Sequence, residues 1–309
     1  MRLLGCPRMK QIVPMNSLSD SLASCIFCAA SMSSRNVARV QDEPPVDVVE
    51  CSECRAQMVN RLPQRDFLDR LYTADYSGHL EASKRLSNAL ARRISGEIAD
   101  SWPPPDCVRI LDFGGGTGAF ALALGACLSE KSLRFQVTVV DIVPGRVGDH
   151  IQYFDPEAFD KTNQQFDIIL CSAVVEHLRD PGFRLTSLFD RLAMGGWIYV
   201  RSPQLGWLKV IKPSWFRWPR HLSDFGPAFW RRFPMLAGWD ITVVWSRACR
   251  PETEWRLRPV ATAVAYVLKA PCFVELGIRR LLRRSEACVY PMVGGWEFLA
   301  RKLAEPRSR

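Results

Sequence analysis

The feature that most constrains the fold is the segment ILDFGGGTGAF, Ile110 to Phe120, in which an apolar run ends in glycines and leads into a helical pattern. Gly114, Gly116 and Gly118 allow the backbone to turn tightly and to approach a ligand closely. The free N–H groups at the start of the following helix can then face that ligand. A strand, a glycine turn and a helix in this order are typical of nucleotide-cofactor sites in α/β proteins.

Apolar strands alternate with helical stretches over the chain that follows. Strands are predicted at residues 108–113, 136–140, 166–171 and 197–200, with two later ones at 239–245 and 298–301. Strands that are apolar nearly throughout are expected where helices cover both faces of a parallel sheet. The pattern therefore predicts an α/β fold.

The chain is expected to divide into four parts. These are a flexible tail at 1–22, a small cysteine-bearing unit at 23–60, a helical linker at 61–105 and the α/β domain at 106–302. The prolines at 103 to 105 cannot continue a helix, so they mark the last boundary. A helical insertion is expected at about 251–290, between the last two strands.

Three aspartates lie near the ends of the predicted strands. Asp112, two residues before the first glycine, suits a ligand with an amino group or a sulfonium better than a pyrophosphate. Asp141 ends the second strand, where a carboxylate can accept hydrogen bonds from both ribose hydroxyls of an adenosine. Asp155 is a weaker candidate for the adenine amino group. Because Gly114, Gly116 and Ala119 also satisfy the dinucleotide pattern, an NAD(P)-dependent oxidoreductase remains the alternative, disfavoured by Asp112.

Four of the 11 cysteines form two C-x2-C pairs, Cys25 with Cys28 and Cys51 with Cys54. Two such pairs at this separation predict a structural zinc ribbon, in which four thiolates close a tetrahedral site. Free or redox-active cysteines are the alternative. The glycine that usually follows each pair is replaced by Ala29 and Arg55, which makes tight knuckle geometry harder to form.

In their order, these motifs resemble the class I S-adenosylmethionine-dependent methyltransferases over residues 106–302. The similar segments are LDFGGGTG, VVDIVPGR, FDIILCSAVVEHLRDP, LAMGGWIYVRSP, HLSDFGPAFWRRFPMLAGWDI and GGWEFLARKL. The resemblance implies a Rossmann-like, seven-stranded sheet with helices on both faces, preceded by the zinc ribbon and a helical linker. The ribbon followed by Arg61-Leu62-Pro63 and Tyr72 to Tyr76 resembles a bacterial-type subgroup that acts in saccharide or secondary-metabolite biosynthesis.

The resemblance also implies roles for individual residues. Asp112 and the glycines at 114, 116 and 118 would surround the methionine part of S-adenosyl-L-methionine, Asp141 the ribose and Asp155 the adenine. Glu176 and His177 would lie beside the methyl-transfer site. His177 and His221 are the candidate bases for an acceptor hydroxyl, and each could instead only hydrogen-bond the cofactor or the backbone.

The positive charge of the chain is concentrated near its end. The formal net charge is +9, and 20 of the 41 basic residues but only 8 of the 32 acidic ones follow residue 200. Aromatic and basic residues alternate in GWLKVIKPSWFRWPRH at 206–221, and arginines end the segment 256–284. This suits peripheral contact with a membrane or a lid over the acceptor, although a solvated basic face is as plausible. Nucleic acid is disfavoured because no RNA-binding module is recognisable.

We therefore expect methyl transfer to a small-molecule or lipid-linked acceptor, with oxygen of a sugar, polyketide or quinone-type phenol favoured. A cytoplasmic location is expected because no apolar stretch is long enough for a signal or a membrane span, with peripheral contact at the inner membrane face as an addition. Besides an oxidoreductase, the alternative is a non-catalytic zinc-ribbon module that binds nucleic acid or protein.

Overall fold

A computed structural model of the 309-residue chain describes residues 12–75, 83–99, 105–130, 133–142, 150–206, 208–249, 259–282 and 295–303. The strands are β1 (Ser34–Gln41), β2 (Val46–Cys51), β3 (Gln57–Val59), β4 (Cys107–Phe113), β5 (Arg134–Val140), β6 (Ile151–Phe154), β7 (Phe166–Ser172), β8 (Leu192–Ser202), β9 (Ser223–Asp224), β10 (Ile241–Ala248) and β11 (Trp296–Lys302). The helices are α1 (Arg65–Asp75), α2 (Ser83–Ala99), α3 (Ala119–Ser129), α4 (Pro156–Asp160), α5 (Pro181–Asp190), α6 (Leu208–Ile211), α7 (Pro227–Leu236) and α8 (Pro259–Leu281).

The larger sheet has seven strands in the order β10-β11-β8-β7-β4-β5-β6. Strands β4 to β8 pair in parallel, and β11 inserts antiparallel between β8 and β10. The order reverses beside β4, so the loops that follow β4 and β7 meet at the carboxyl edge of the sheet. The predicted seven-stranded, Rossmann-like α/β fold is confirmed.

Both faces of this sheet are covered by helices. Alternate residues of β4 face opposite ways, so that Ile110 packs in the cluster under α2 and α3 and Leu111 in the cluster under α5 and α7. Helix α2 falls within the expected linker, yet Leu90, Ile94 and Ile98 are buried on the sheet. Their helical spacing forms one apolar face, and α2 is therefore part of the α/β core.

The smaller sheet carries the N-terminal unit and has the order β1-β2-β3-β9. Its fourth strand, β9, comes from the chain that follows β8 and pairs with β3 through Gln57 and Met58. Phe27 adds an edge-on contact to Phe229 of α7 at a ring separation of 4.8 Å. The N-terminal unit is therefore joined to the α/β unit by backbone pairing as well as by side-chain packing.

The expectation of a flexible tail at 1–22 is corrected for its second half. Val13 is fully buried, and it exchanges two hydrogen bonds of 2.8 and 2.9 Å with the side-chain amide of Gln41. Leu18 bridges to Pro63. These few apolar residues are separated by polar ones, so periodicity gave no indication of the packing. Residues 1–11 lie outside the described residues.

Helix α8 lies between β10 and β11 in the chain, where a helical insertion was predicted. Of its described side chains, Val260, Val264, Val267 and Ile278 are among the exposed apolar ones. Within the described residues, no helix has the length and apolar character required to cross a membrane.

Candidate functional site

The glycine turn between β4 and α3 has a backbone that other residues rarely adopt. The φ angles of Gly114, Gly116 and Gly118 are +69°, +56° and +70°. The N–H of Gly114 donates to the carbonyl oxygen of Val140 at 2.7 Å, which fixes the turn against the end of β5. The turn therefore lies where β4 and β5 both end.

Close contacts also exclude a side chain from the turn. A Cβ atom on Gly114 would lie 2.2 Å from a methyl group of Val174, which belongs to the loop after β7. A Cβ atom on Gly118 would lie 2.7 Å from a methyl group of Val139. Gly114 is consequently required both by its conformation and by the neighbouring loop.

Asp112 lies at the base of the turn and is 2% exposed. Its Oδ2 accepts the N–H of Ala121 at 3.3 Å, and its neighbourhood contains the carboxylate of Asp141. Burial, with a smaller contribution from the charge of Asp141, raises the pKa of Asp112 to about 7. A cationic ligand group beside Asp112 would favour its ionised form.

Asp141 directly follows β5, and its Oδ2 accepts the N–H of Gly116 at 2.8 Å. The structure thus brings Asp112, Asp141 and the glycines together at one edge of the sheet. Tyr153 of β6 joins them, since its hydroxyl donates to the carbonyl oxygen of Thr117 at 2.8 Å. Sequence reasoning missed Tyr153, whose only signal was its place two residues before Asp155 near the end of a strand.

Asp155 follows β6 at the same edge but is exposed. Its Oδ1 accepts the N–H of Ala158 at 2.8 Å, so that Asp155 is the N-cap of α4. An aspartate followed by proline at the first helical position is a common helix start, and this signal was available in the sequence. The capping bond engages one oxygen of the carboxylate that was predicted to approach the adenine.

Glu176, His177 and His221 form a second cluster, in the loop after β7 and the segment before β9. One ligand atom of each lies within 4.8 Å of those of the other two. The Nε2 atom of His177 is 3.8 Å from Oε1 of Glu176, and the two imidazole rings meet edge-on at 4.9 Å. Val174 of the same loop covers Gly114, so this cluster adjoins the glycine turn.

The environment of the cluster disfavours charge on all three groups. Burial raises the pKa of Glu176 to about 8. Burial also lowers the pKa of His221 to about 3, to which the charges of His177 and Arg217 add, and it lowers the pKa of His177. Both imidazoles are therefore neutral at neutral pH, and neither is a strong base by itself.

The tautomer of His177 is set by the backbone. Its Nδ1 lies 2.8 Å from the carbonyl oxygen of Arg220, which can only accept, so Nδ1 carries the proton. The hydroxyl of Tyr72 in α1 donates to the same carbonyl at 2.9 Å and contacts the ring of His177 edge-on. The lone pair of His177 is consequently on Nε2, the nitrogen nearer to Glu176.

The four paired cysteines converge in the N-terminal unit. The Sγ atoms of Cys25 and Cys54 are 3.6 Å apart, and those of Cys28 and Cys51 are 3.8 Å apart. The hydrogen bond between Cys25 and Cys54 lowers the pKa of the Cys25 thiol and raises that of the Cys54 thiol, so that a thiolate at Cys25 accepts the proton of Cys54. In a tetrahedral site with Zn–S bonds of about 2.3 Å, sulfur atoms are about 3.8 Å apart, so the four residues fit a zinc ion.

Both cysteine knuckles keep their tight turn without glycine. Ala29 and Arg55 adopt φ angles of +57° and +64°, and their N–H groups donate to the carbonyl oxygens of Cys25 and Cys51. An L-residue in this conformation costs about 1 kcal/mol. The residues that depart from the usual glycine therefore do not prevent the knuckles from forming.

Comparison with known proteins assigns the family. Residues 64–242 match the family model described as a methyltransferase domain, which is more than half of the chain. The chain therefore belongs to the methyltransferase domain family. Together with the fold, this confirms the predicted enzyme class, an S-adenosylmethionine-dependent methyltransferase. A search of curated proteins finds no match.

Several solved structures are similar at low identity. Coclaurine N-methyltransferase bound to N-methylheliamine and SAH is 15% identical over 74% of this chain and 73% of that chain, with a TM-score of 0.44. The complex of a putative methyltransferase with the Trm112 activator from Haloferax volcanii is 14% identical over 78% of this chain and 98% of that chain, with a TM-score of 0.47. An S-adenosylmethionine-dependent methyltransferase from Archaeoglobus fulgidus is 18% identical over 74% of this chain and 100% of that chain, with a TM-score of 0.40.

Proposed function

We propose that the chain binds S-adenosylmethionine at the glycine turn and transfers its methyl group to a hydroxyl oxygen of a small-molecule or lipid-linked acceptor. The observation that supports the proposal is the close approach of Val174 to Gly114, since Val174 lies two residues before Glu176 in the loop after β7. The turn is the donor site and the cluster is the acceptor site.

The donor assignment follows from charge and shape. Asp112 would face the cationic methionine part, because a buried carboxylate near neutral pKa gains most from a cation. Asp141 would accept hydrogen bonds from the ribose hydroxyls, and Asp155, which follows the neighbouring strand at the same edge, would approach the adenine. The narrow turn allows the backbone to approach the ligand.

The choice of oxygen follows from the neutral state of the histidines. A neutral imidazole can accept a hydrogen bond from a hydroxyl, whereas a protonated one would repel the sulfonium. Methyl transfer is a displacement at carbon, so alignment of the acceptor oxygen with the methyl group contributes most of the acceleration. Saccharide, polyketide and quinone-type hydroxyls are the classes that we propose.

Calorimetric titration tests the donor site. We expect S-adenosylmethionine and S-adenosylhomocysteine to bind to the wild type and to Asp20→Ala, which alters an exposed aspartate, but not to Asp141→Ala. Binding of NAD alone would contradict the proposal. For the acceptor, isotope-labelled methyl groups should appear on oxygen when phenols and lipid-linked saccharides are offered, and label on nitrogen or carbon would exclude the oxygen assignment.

We propose further that the N-terminal unit holds one structural zinc ion through Cys25, Cys28, Cys51 and Cys54. The converging sulfur atoms and the two preserved knuckles support this assignment. One zinc per chain by elemental analysis, lost in Cys25→Ser/Cys51→Ser, is the expected result. A folded wild type without zinc at these thiolates would contradict it.

We propose finally that α8 contacts an anionic membrane surface, where a lipid-linked acceptor would be found. The helix exposes a row of valines, and the arginines at 279, 280, 283 and 284 follow its apolar part in the sequence. The chain should sediment with vesicles that contain phosphatidylglycerol but not with pure phosphatidylcholine. Val264→Glu/Val267→Glu should lose this binding, whereas Phe183→Glu, at another exposed apolar site, should keep it.

A further inference from the structure

The cluster of Glu176, His177 and His221 has the composition of a metal site. One ligand atom from each residue lies within 4.8 Å of the others. Two imidazoles and one carboxylate are the protein ligands of catalytic zinc in several hydrolases and of non-haem iron(II), sites that keep further positions open for substrate. The four cysteines of the ribbon, in contrast, leave no open position.

A second observation points to a cation in the cluster. Glu176 is 1% exposed, and among the described residues no hydrogen-bond donor reaches its Oε2 atom. A carboxylate removed from water without a partner is costly. A divalent ion between this oxygen and the two imidazoles would supply the missing interaction.

The ring of His177 is already oriented for this purpose, and the backbone beside His221 is fixed. His177 donates its Nδ1 proton to the carbonyl oxygen of Arg220, and Nε2 faces Glu176 at 3.8 Å from Oε1. Metal-binding histidines usually donate their other nitrogen to a carbonyl or carboxylate in this way. His221 is held by its neighbour, because the N–H of Leu222 donates to the carbonyl oxygen of Glu176 at 2.7 Å.

We infer that Glu176, His177 and His221 bind a divalent transition-metal ion that holds the acceptor oxygen beside the donor methyl group. This inference rests on the proposed function, since it assigns the way in which the acceptor site activates a hydroxyl. The ion activates the acceptor hydroxyl, a role for which each histidine alone is a weak base. His177 and His221 are then ligands and not general bases.

The reaction balances with water as the proton acceptor. A hydroxyl bound to the ion loses its proton to water more readily, because the ion stabilises the oxygen anion. The oxygen then forms a bond to the methyl carbon while the carbon–sulfur bond breaks. The electron pair of that bond stays on sulfur, which leaves as a neutral thioether, and the methylated product dissociates from the ion.

Cobalt(II) titration followed by visible absorption tests the site in the full chain. After removal of metal, we expect two equivalents to bind, one with intense thiolate-to-cobalt bands from the ribbon and one with only weak bands from nitrogen and oxygen ligands. His221→Ala should weaken the second equivalent by about 100-fold or more while it keeps the first. His150→Ala, at an exposed histidine, should retain both.

Two further measurements keep the outcomes separate. Binding of S-adenosylmethionine by His221→Ala would show that this variant is folded. Glu176→Gln removes a second proposed ligand with a side chain of the same size as glutamate. A single equivalent in the wild type, or a second one unaffected by both variants, overturns the inference. Methylation of a hydroxyl by the chain that holds a metal ion only at its four cysteines would also overturn the inference, but it would leave the proposed function intact. A second metal in a chain that methylates no hydroxyl would refute the function alone.

Discussion

The N–H of Val59, at the end of β3, donates to the carbonyl oxygen of Leu222 at 2.9 Å. This bond extends the pairing of β3 with β9 to the residue next to His221. The other side of Leu222 is tied to Glu176. The smaller sheet therefore takes part in positioning the cluster of Glu176, His177 and His221, although none of the four paired cysteines lies in that cluster.

Loss of the proposed zinc ion should reduce methyl transfer more than it reduces cofactor binding. In Cys54→Ser, a thiolate site of three ligands binds zinc weakly, and the ribbon strands lose the folding energy that the metal contributes. His221 should then shift, and a misplacement of about 1 Å can reduce turnover by about 100-fold. Turnover and S-adenosylmethionine affinity are the measurements, with Cys127→Ser in α3 as the control. Equal losses of affinity and turnover would show that the ribbon acts on the whole fold instead.

Asp112 should give the apo protein a pH-dependent stability. Burial raises its pKa to about 7 in the folded state, above the ordinary aspartate value of 3.8, so the folded state binds the proton more tightly. Stability from this group is complete below pH 4 and falls as the pH rises towards 7, by about 4 kcal/mol at most. Asp112→Asn should remove this part of the slope in urea unfolding between pH 4 and 8.

Binding of S-adenosylmethionine should offset the loss of stability that a rising pH causes through Asp112. Because the sulfonium and amino groups favour ionised Asp112, the stabilisation that S-adenosylmethionine provides should grow from pH 6 to pH 8 in the wild type. The same titration with Asp112→Asn should show a smaller increase. Identical profiles for the two proteins would place the cationic part of the ligand away from Asp112.

Much of the cofactor site was predictable because its signals are local. The glycines must follow β4 for the chain to reverse, and parallel strands bring Asp112 and Asp141 to one edge whatever the connecting helices contain. The family resemblance added that the sheet has seven strands. Thus Asp112, Asp141 and the glycines, which the sequence predicts at one edge of the sheet, lie together in the structure.

The contacts that join the ribbon to the α/β unit were not predictable. Strand β9 has two residues, which is too short for any period to show. Arg232 of α7 donates to the carbonyl oxygens of Ser52 and Glu53 at 3.0 and 2.8 Å, and backbone acceptors leave no mark on a sequence. Such long-range pairings depend on the whole fold, so the place of His221 could be proposed only through the family resemblance.

Gly114→Ala should damage the donor site beyond ordinary backbone strain. Gly238 has the same φ of +69°, but a Cβ atom there meets nothing within 4 Å in the described part of the chain, whereas on Gly114 it meets Val174 at 2.2 Å. Gly238→Ala should therefore cost about 1 kcal/mol in urea unfolding. Gly114→Ala should cost a further 1–3 kcal/mol, roughly, and lose S-adenosylmethionine binding. Added Val174→Ala should restore part of both, and equal effects at the two glycines would contradict the close packing.

Substitution of Lys209 tests whether the basic, aromatic segment at 206–221 has a structural role or only forms a charged surface. The sequence suggested an exposed face, but Lys209 is 1% exposed and pairs with Asp224 of β9 and with Gln57 of β3. Lys209→Met leaves a buried carboxylate without its cation and should lower the free energy of unfolding by about 3–5 kcal/mol. Lys212→Met, at an exposed lysine three residues on, should change it by less than about 0.5 kcal/mol. Adding Asp224→Asn to Lys209→Met should recover part of the loss, since the uncompensated charge is removed. Equal stability of the two lysine variants would show that Lys209 has no structural role.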